Sequence, residues 1–489
     1  MKVGALGASI FVSRMSGTAR IAPVIALNGF ARRLSATGTA SLAVLLVFFC
    51  ALAYWQVFRT DLAGDDRNPR VLSAFHDPGR GSILDRDGNI LAETLGDGTR
   101  QYYDASTAHL VGYLDPRFGS QGVELAFHSV LSGAVPSGWA GAFRAEFDRS
   151  RPKGSDVVLT IDSDVQAAAA IALGARSGAV VALDPRNGEV LAMVSVPTYD
   201  PGALAIHGDG LFADATSPLL NRATQGLYPP GSTFKTVTAA GILERGIATP
   251  ETIVTCPGEI VIDGFPISCK NTPQGVGTYP FKSAFTFSVN AIFAQLGVKL
   301  GWAGLTDIAR RFGFDSQIPF TLETAKSQIH GPDAETTTVL LATTAFGQGE
   351  LLATPLQMAA IAAVVANGGT LAQPRLTLRE QRDGRSLGSL EPAVSRRVIS
   401  AELASILREL MVSVVQNGQA AGVNLPGVVV GGKTGTAEAG DGTSHAWFIA
   451  FAPAEAPRIA VAVVVEHGGQ GGSVASPIAG QVIRAALAR

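Results

Sequence analysis

A short segment at residues 228–235, with the sequence Tyr-Pro-Pro-Gly-Ser-Thr-Phe-Lys, constrains the fold of this chain more than any other. Proline cannot lie inside a helix and glycine permits a tight turn, so the segment begins as a stiff approach that ends in a turn. Apolar residues then recur at helical spacing as far as Ile242, which predicts a helix that begins at Ser232. Lys235 lies one turn further along the same helix face. A serine beside an amine at a helix N-terminus is the arrangement of an activated nucleophile.

Length and composition limit the classes of protein to which the chain can belong. A chain of 489 residues is too long for one ordinary core, which predicts two or more domains. Hydrophobic residues make up 47% and charged residues 16%, so a disordered chain is excluded. The formal net charge of -2 gives no electrostatic reason to expect a nucleic-acid partner. The sequence has no zinc-protease motif, cysteine cluster or phosphate-binding loop, so we expect neither a metal nor a cofactor.

The N-terminal sequence predicts a membrane anchor. Residues 1–38 contain five basic residues and no acidic one, and residues 39–58 form a charge-free apolar run long enough to cross a bilayer as one helix. Acidic residues follow, so the positive-inside rule places the tail in the cytoplasm and the remainder outside the inner (plasma) membrane. A cleaved signal peptide is the alternative. The length of the run and the absence of a clear cleavage site favour an uncleaved single-pass anchor.

Two further regions follow the apolar run. Residues 59–155 contain short strand-like segments separated by turn signals, which predicts a small β-rich N-terminal module. Residues 156–489 read as two strands, a mostly helical middle, three strands and a final helix. This order predicts an α+β domain in which helices cover an antiparallel five-stranded sheet.

Three small motifs carry the chemistry of the second region. They are Ser232-x-x-Lys235, then Ser288-Val289-Asn290, then Lys433-Thr-Gly-Thr. Each motif alone occurs by chance in long chains. Their fixed order, in helix, loop and strand contexts, makes the set specific.

With these motifs, the chain resembles the class B penicillin-binding proteins, which are membrane-anchored D,D-transpeptidases of bacterial cell-wall synthesis. The resemblance extends from about residue 70 to the C-terminus. The segments around 228–235, 347–359 and 431–438 are similar to blocks of that family. A signature of its N-terminal module is also matched, which implies that residues 59–155 serve dimerisation or partner contact. We assign a structural role to the signature residues Arg80, Gly81, Asp85, Arg86 and Gly88.

The roles of the motif residues follow from their chemistry. Ser232 is the expected nucleophile, and Lys235, if burial and a second cation keep it neutral, is the expected base. Lys433 supplies that cation. The Ser288 hydroxyl bridges the two lysines and passes a proton to the leaving amine. Asn290 orients Lys235 and holds a substrate peptide bond.

The third motif is expected to bind the substrate along a strand edge. Strand alternation places Thr434 and Thr436 on one side and Lys433 and Gly435 on the other, so the strand must turn its edge to the cleft if Lys433 and the threonines serve one ligand. The two threonines are then expected to bond the terminal carboxylate. An edge strand with glycine leaves room for an extended peptide. The resemblance implies that the backbone N–H groups of Ser232 and Thr436 form the oxyanion hole.

Four other residues of interest are not assigned to catalysis. Cys256 and Cys269 flank an apparent hairpin at 258–266, and the expected oxidising compartment allows either a disulfide or free thiols. Tyr228 is expected to pack at the cleft wall. His445 starts a strand-like run, and we assign it no catalytic role.

The resemblance implies that Ser232 attacks the D-Ala-D-Ala bond of a peptidoglycan stem peptide, and that an amine of a neighbouring stem then takes the acyl group. β-Lactams would acylate the same serine. A D,D-carboxypeptidase or β-lactamase, with water as acceptor, is a second interpretation. A non-catalytic β-lactam sensor or scaffold is a third. The expected partners are a SEDS-type glycosyltransferase and other division or elongation proteins, and the short N-terminal module favours septal synthesis.

Overall fold

In the computed structural model, the described residues are 25–54, 79–133, 153–269, 274–423 and 425–488. The chain divides into two compact units, Met1–Asn68 and Pro69–Arg489. The described part of the first unit is helix α1, Ile25–Ala53. No helix among the described residues is long and apolar enough to span a bilayer, and residues 55–58 of the predicted spanning segment lie outside them.

A five-stranded sheet forms the centre of the second unit. Its strands lie in the order β17, β18, β19, β7, β8, and each neighbouring pair is antiparallel. β17 is therefore an edge strand. The bounds are β7 Gly178–Leu183, β8 Val190–Val196, β17 Gly431–Glu438, β18 Ser444–Ala452 and β19 Ile459–Val465.

Helices cover both faces of this sheet. Successive strand residues point to opposite faces, and all seven residues of β19 are buried, so apolar layers lie on each side. Helix α11, Pro355–Ala366, is buried along its whole length and packs across β19, β18 and β7. Helices α5, Ser163–Leu173, and α13, Ala475–Leu487, pack on each other and on the sheet. The predicted α+β class is confirmed.

A second sheet of six strands was not predicted. Its order is β15, β14, β6, β1, β2, β3, and it is mixed because β1 and β6 run parallel while the other pairs are antiparallel. The prediction of one antiparallel sheet is therefore incomplete. Three strands come from the predicted N-terminal module and three from the region beyond residue 155. The strands are β1 Ile83–Leu84, β2 Ile90–Thr94, β3 Arg100–Tyr102, β6 Asp156–Leu159, β14 Thr377–Arg382 and β15 Arg385–Gly388.

The signature that begins at Arg80 builds the junction of these strands. Arg80 donates two hydrogen bonds to the buried carboxylate of Glu124, at 3.0 and 2.5 Å, and Arg100 donates to the other oxygen at 2.6 Å. The two guanidinium groups lower the pKa of Glu124 against the opposing effect of burial. Gly81 has no room for a side chain, since a Cβ atom there would lie 2.0 Å from the carbonyl oxygen of Ser155.

The second half of the signature forms a tight turn with several charged residues. Asp85 accepts hydrogen bonds from the backbone N–H groups of Asp87 and Asn89, at 2.9 and 2.8 Å. Gly88 has a φ of +91°, which favours glycine. Arg86 pairs at 3.1 Å with Glu189, which lies in the turn between β7 and β8. The signature thus links the N-terminal strands to the central sheet.

The remaining elements surround these two sheets. Cys256 and Cys269 form a disulfide across the base of the β10–β11 hairpin, with their Cα atoms 6.4 Å apart. The other helices are α2 Ala108–Val111, α3 Gly122–Ala126, α4 His128–Ser132, α6 Leu204–Ala213, α7 Lys235–Glu244, α8 Phe281–Thr286, α9 Asn290–Phe312, α10 Thr338–Ala345 and α12 Ala401–Asn417. The other strands are β4 Leu114–Asp115, β5 Gly119–Ser120, β9 Ile253–Cys256, β10 Glu259–Ile262, β11 Phe265–Ser268, β12 Gly277–Pro280, β13 Thr370–Ala372 and β16 Ser395–Arg397.

Candidate active site

The segment with Ser232 lies at the start of a buried helix, as the sequence predicted. Gly231–Phe234 forms a 3₁₀ turn, and α7 continues from Lys235. Gly231 has a φ of +54°, and its N–H donates to the carbonyl oxygen of Gly347 at 2.9 Å. A Cβ atom on Gly347 would lie 1.7 Å from the carbonyl oxygen of Gly231, so both positions need glycine. The segment around Gly347 therefore braces the turn that presents Ser232, a contact that the sequence alone did not indicate.

The Ser288 hydroxyl joins the two motif lysines. Lys235 Nζ lies 3.1 Å from Ser288 Oγ, and Lys433 Nζ lies 2.8 Å from the same atom. Lys235 Nζ also donates to the Ser288 carbonyl at 2.7 Å and to Asn290 Oδ1 at 2.5 Å. Ser288 has a φ of +60°, so its backbone adopts a left-handed conformation that is costly for a serine and is held by the surrounding contacts. Lys235, Ser288, Asn290 and Lys433 thus form one cluster.

Both lysine side chains are fully buried, and their electrostatic surroundings are unusual. The described residues place no carboxylate within ion-pair distance of either nitrogen, and the rings of Phe293 and Phe285 lie 5.2 and 5.8 Å from Lys235 Nζ and Lys433 Nζ. Burial lowers the pKa of Lys433 to about 7. Burial also lowers the pKa of Lys235 well below its usual value, and the nearby charge of Lys433 lowers it further. A neutral amine near physiological pH is the form that can accept a proton.

Strand β17 lies beside the nucleophile segment, with Thr436 exposed and Thr434 only 6% exposed. Gly435 is opposite Trp447 in the β17–β18 register. A Cβ atom on Gly435 would lie 2.9 Å from the carbonyl oxygen of Pro230 and 3.0 Å from Cβ of Trp447. Glycine is needed here so that the nucleophile segment can approach the strand, a reason that adds to the predicted room for a peptide.

Glu466, which directly follows β19, was not among the residues predicted from the sequence. Its Oε1 atom accepts hydrogen bonds from Tyr228 Oη at 2.7 Å and from Arg222 Nε at 2.8 Å. The Tyr228 ring packs edge-on against His445 and Trp447, while its place at the cleft wall stays a prediction. One acidic residue after a strand is a common pattern, so no sequence signal distinguished Glu466.

Comparison with known proteins identifies the class of this fold and site. Residues 178–484 match the penicillin-binding protein transpeptidase domain, and residues 80–157 match the penicillin-binding protein A dimerisation domain. The chain belongs to the penicillin-binding protein transpeptidase family and, within it, to the class B proteins predicted from the motifs.

Individual relatives agree with this assignment. The chain is 38% identical over 498 residues to the peptidoglycan D,D-transpeptidase PbpA of Mycobacterium tuberculosis, an alignment that covers 94% of this chain and 99% of the relative. A ceftriaxone acyl-enzyme complex of penicillin-binding protein A from M. tuberculosis superposes with a TM-score of 0.77 at 36% identity, over 85% of this chain and 100% of the other. Pseudomonas aeruginosa PBP2 in complex with WCK 5153 superposes with a TM-score of 0.72 at 32% identity, over 83% of this chain and 95% of the other.

Proposed function

We propose that this protein is a serine D,D-transpeptidase that cross-links peptidoglycan stem peptides through an acyl-enzyme at Ser232. The observation that carries the proposal is the contact of two buried lysines with one hydroxyl, that of Ser288, beside a helix-start serine. The name of PbpA and the acyl-enzyme complexes of penicillin-binding protein A support the same activity.

The acylation step uses Lys235 as the base. Neutral Lys235 accepts the hydroxyl proton of Ser232 while Ser232 Oγ attacks the carbonyl carbon between the two D-alanines. The carbonyl oxygen becomes negative and binds the backbone N–H groups of Ser232 and Thr436, each donor contributing about 2.7–4 kcal/mol to lowering the barrier. The C–N bond then breaks. The Ser288 hydroxyl delivers a proton to the departing D-alanine amine and is reprotonated from Lys235, which regenerates the neutral base.

The second step reverses these roles with a new nucleophile. An amine from a neighbouring stem peptide attacks the ester carbonyl of Ser232, and Lys235, through the Ser288 hydroxyl, takes one amine proton. The ester bond breaks, an amide forms, and Ser232 Oγ recovers its proton from Lys235. A cross-link between two stems and a free enzyme result.

The edge of β17 holds the donor peptide. Lys433 is a residue of β17 whose ammonium group contacts Ser288, and its positive charge attracts the C-terminal carboxylate of the stem. Thr436 is exposed and is the better placed of the two threonines to donate a hydrogen bond to that carboxylate, since Thr434 is almost fully buried. An extended peptide added to a free sheet edge is a common mode of recognition.

We also propose an extracytoplasmic location and a partner for the N-terminal module. The charge asymmetry around residues 39–58 supports a membrane anchor. Ile90, Leu95 and Tyr103 are exposed on or next to β2 and β3, the last two strands at one end of the six-stranded sheet. Such apolar exposure suits contact with a membrane-embedded glycosyltransferase of the SEDS type during septal synthesis.

The acyl-enzyme is tested by labelling the full-length protein in detergent with a fluorescent penicillin and mapping the adduct by mass spectrometry. We expect one adduct, on Ser232, that is lost in Ser232→Ala and retained in Ser405→Ala, which removes an exposed serine. Lys235→Ala should fold but not acylate. An adduct on another residue, or wild-type labelling of Ser232→Ala, contradicts the proposal.

Cross-linking itself needs a second measurement. Unlabelled protein from a preparation that reacts with the penicillin is incubated with glycan strands that carry pentapeptide stems. The products are then digested and analysed by mass spectrometry. We expect dimeric stems with loss of one D-alanine per cross-link. Release of D-alanine without dimers indicates a carboxypeptidase instead.

A further inference from the structure

Glu466 connects two side chains of the nucleophile region through a single oxygen. Tyr228 and Arg222 both donate to its Oε1 atom, and neither donor is more than 7% exposed. The remaining guanidinium nitrogens of Arg222 donate to the carbonyl oxygens of Ser217 and Thr216, at 3.0 and 2.8 Å. Arg222 is therefore fixed at both ends of its guanidinium group, and it holds Glu466 in place.

Tyr228 is held from three directions. Its backbone pairs with Ala353, N–H to oxygen at 3.1 Å and oxygen to N–H at 2.8 Å. Its ring packs edge-on against Trp447 and His445, with centroid distances of 6.1 and 5.5 Å. Its hydroxyl donates to Glu466. Burial and the Glu466 carboxylate raise the pKa of the phenol, so the hydroxyl keeps its proton and remains a donor.

The position of the Tyr228 ring is transmitted to the nucleophile through two prolines. Trp447, which contacts that ring, donates from its indole N–H to the carbonyl oxygen of Pro229 at 2.9 Å. The next carbonyl, of Pro230, lies against Gly435 of β17. Proline fixes its own φ, so a displacement at Tyr228 moves the 3₁₀ turn that follows. Ser232 is the second residue of that turn.

We propose that Glu466 is a positioning residue for acylation. By accepting hydrogen bonds from Tyr228 and Arg222 on one carboxylate oxygen, it fixes the position of Ser232 relative to β17. This inference rests on the proposed function, because it concerns the same acylation step. Glu466 touches none of the reacting groups. Its loss changes the alignment of Ser232 with Lys235 and the oxyanion donors, and leaves the peptide-binding edge of β17 in place.

The test measures acylation of the full-length protein by a fluorescent penicillin over a range of concentrations, which separates the limiting rate constant from the half-saturation concentration. The variants are Glu466→Ala, Glu466→Gln and Tyr228→Phe. Glu455→Gln is the matched control, since Glu455 is an exposed acid in the connection between β18 and β19. Ser232→Ala defines the background.

We expect Glu466→Ala and Tyr228→Phe to lower the limiting rate constant by about tenfold, since a misplacement of 1 Å can cost about 100-fold. The half-saturation concentration should change by less than about twofold in both. Glu466→Gln, whose amide oxygen still accepts both hydrogen bonds, should recover the rate to within about threefold of wild type. The double variant Glu466→Ala/Tyr228→Phe should lose no more than Glu466→Ala alone, because Glu466→Ala already removes the contact that Tyr228→Phe removes.

Several outcomes overturn the inference. Unchanged rates in Tyr228→Phe and Glu466→Ala, a loss confined to the half-saturation concentration, or a Glu466→Gln variant as slow as Glu466→Ala would each do so. Tyr228→Phe removes one oxygen atom, so it decides the question even where Glu466→Ala fails to fold. A wild-type protein that takes no label refutes the proposed function itself, whereas labelled wild type with equally fast variants refutes only the positioning role.

Discussion

The substitution Lys433→Met isolates the effect of one buried ammonium group on another. Methionine fills a similar volume without a charge. The two nitrogens lie 3.1 and 2.8 Å from Ser288 Oγ, so Lys235 Nζ and Lys433 Nζ are separated by at most the sum of these distances, about 5.9 Å. At an effective dielectric constant of about 20, two like charges at this separation repel each other by about 3 kcal/mol.

Removal of this repulsion favours the charged form of Lys235. Below about pH 7, where Lys433 is itself protonated, the ratio of neutral to charged Lys235 should fall about 100-fold, since 1.4 kcal/mol is a factor of ten. Acylation needs neutral Lys235. The acid limb of its pH profile should therefore move to higher pH in Lys433→Met, and part of the lost rate should return under alkaline conditions.

The assay is the second-order rate constant of acylation by a fluorescent penicillin, measured on both sides of neutral pH. Lys326→Met, which removes an exposed lysine, is the matched control and should keep the wild-type profile. Lys433→Met also removes the cation that attracts the substrate carboxylate, but that loss lowers the rate without moving the acid limb. An acid limb at the wild-type pH refutes the electrostatic coupling.

Four other measurements test the structure. Ser288→Ala should slow acylation by about 10²- to 10⁴-fold, the usual contribution of a positioned proton donor, as measured by adduct formation. Gly435→Ala should lower stability by about 1–3 kcal/mol in thermal unfolding because its Cβ has no room, whereas Gly96→Ala, with no atom within 4 Å, should be near neutral. Glu124→Ala should cost about 3–5 kcal/mol in the same assay, since two buried arginines lose their partner. The folded-state pKa of Lys433, about 7, lies below its ordinary 10.5, so the unfolded chain binds more protons between these values. Stability should then rise with pH across that window by up to about 1.4 kcal/mol per unit in urea unfolding, and Lys433→Met should lack this contribution. A difference in stability between wild type and Lys433→Met that does not change with pH contradicts the lowered pKa of Lys433.

Local sequence was informative wherever the chemistry depends on residues close in the chain. The turn and helix around Ser232 follow from proline, glycine and helical spacing, which act over a few residues. Strands β7, β8 and β19 of the central sheet are near-continuous apolar runs, because both of their faces are buried. The turn at residues 85–89 also follows from local sequence, because the Asp85 carboxylate accepts hydrogen bonds from nearby backbone N–H groups and Gly88 permits a positive φ.

The pairing of strands that lie far apart in the chain could not be predicted from local sequence. β14 pairs with β6, more than 200 residues earlier in the chain, and the sequence of neither strand indicates its partner. In the sequence, Gly347 and Gly435 cannot be distinguished from glycines in ordinary loops. Only the structure shows that a second backbone segment lies too close to either position for a side chain.

The sequence by itself determined the reactive groups, their order and the α+β class, because motif spacing and hydrophobic periodicity are properties of short stretches of chain. The tertiary structure alone decided that both motif lysines are fully buried and that Glu466 holds Tyr228 and Arg222. The physical reason is that a depressed lysine pKa and a shared carboxylate oxygen both depend on burial and on distances between distant segments. Those quantities exist only once the sheet has brought residues 222–235, 288, 433 and 466 together.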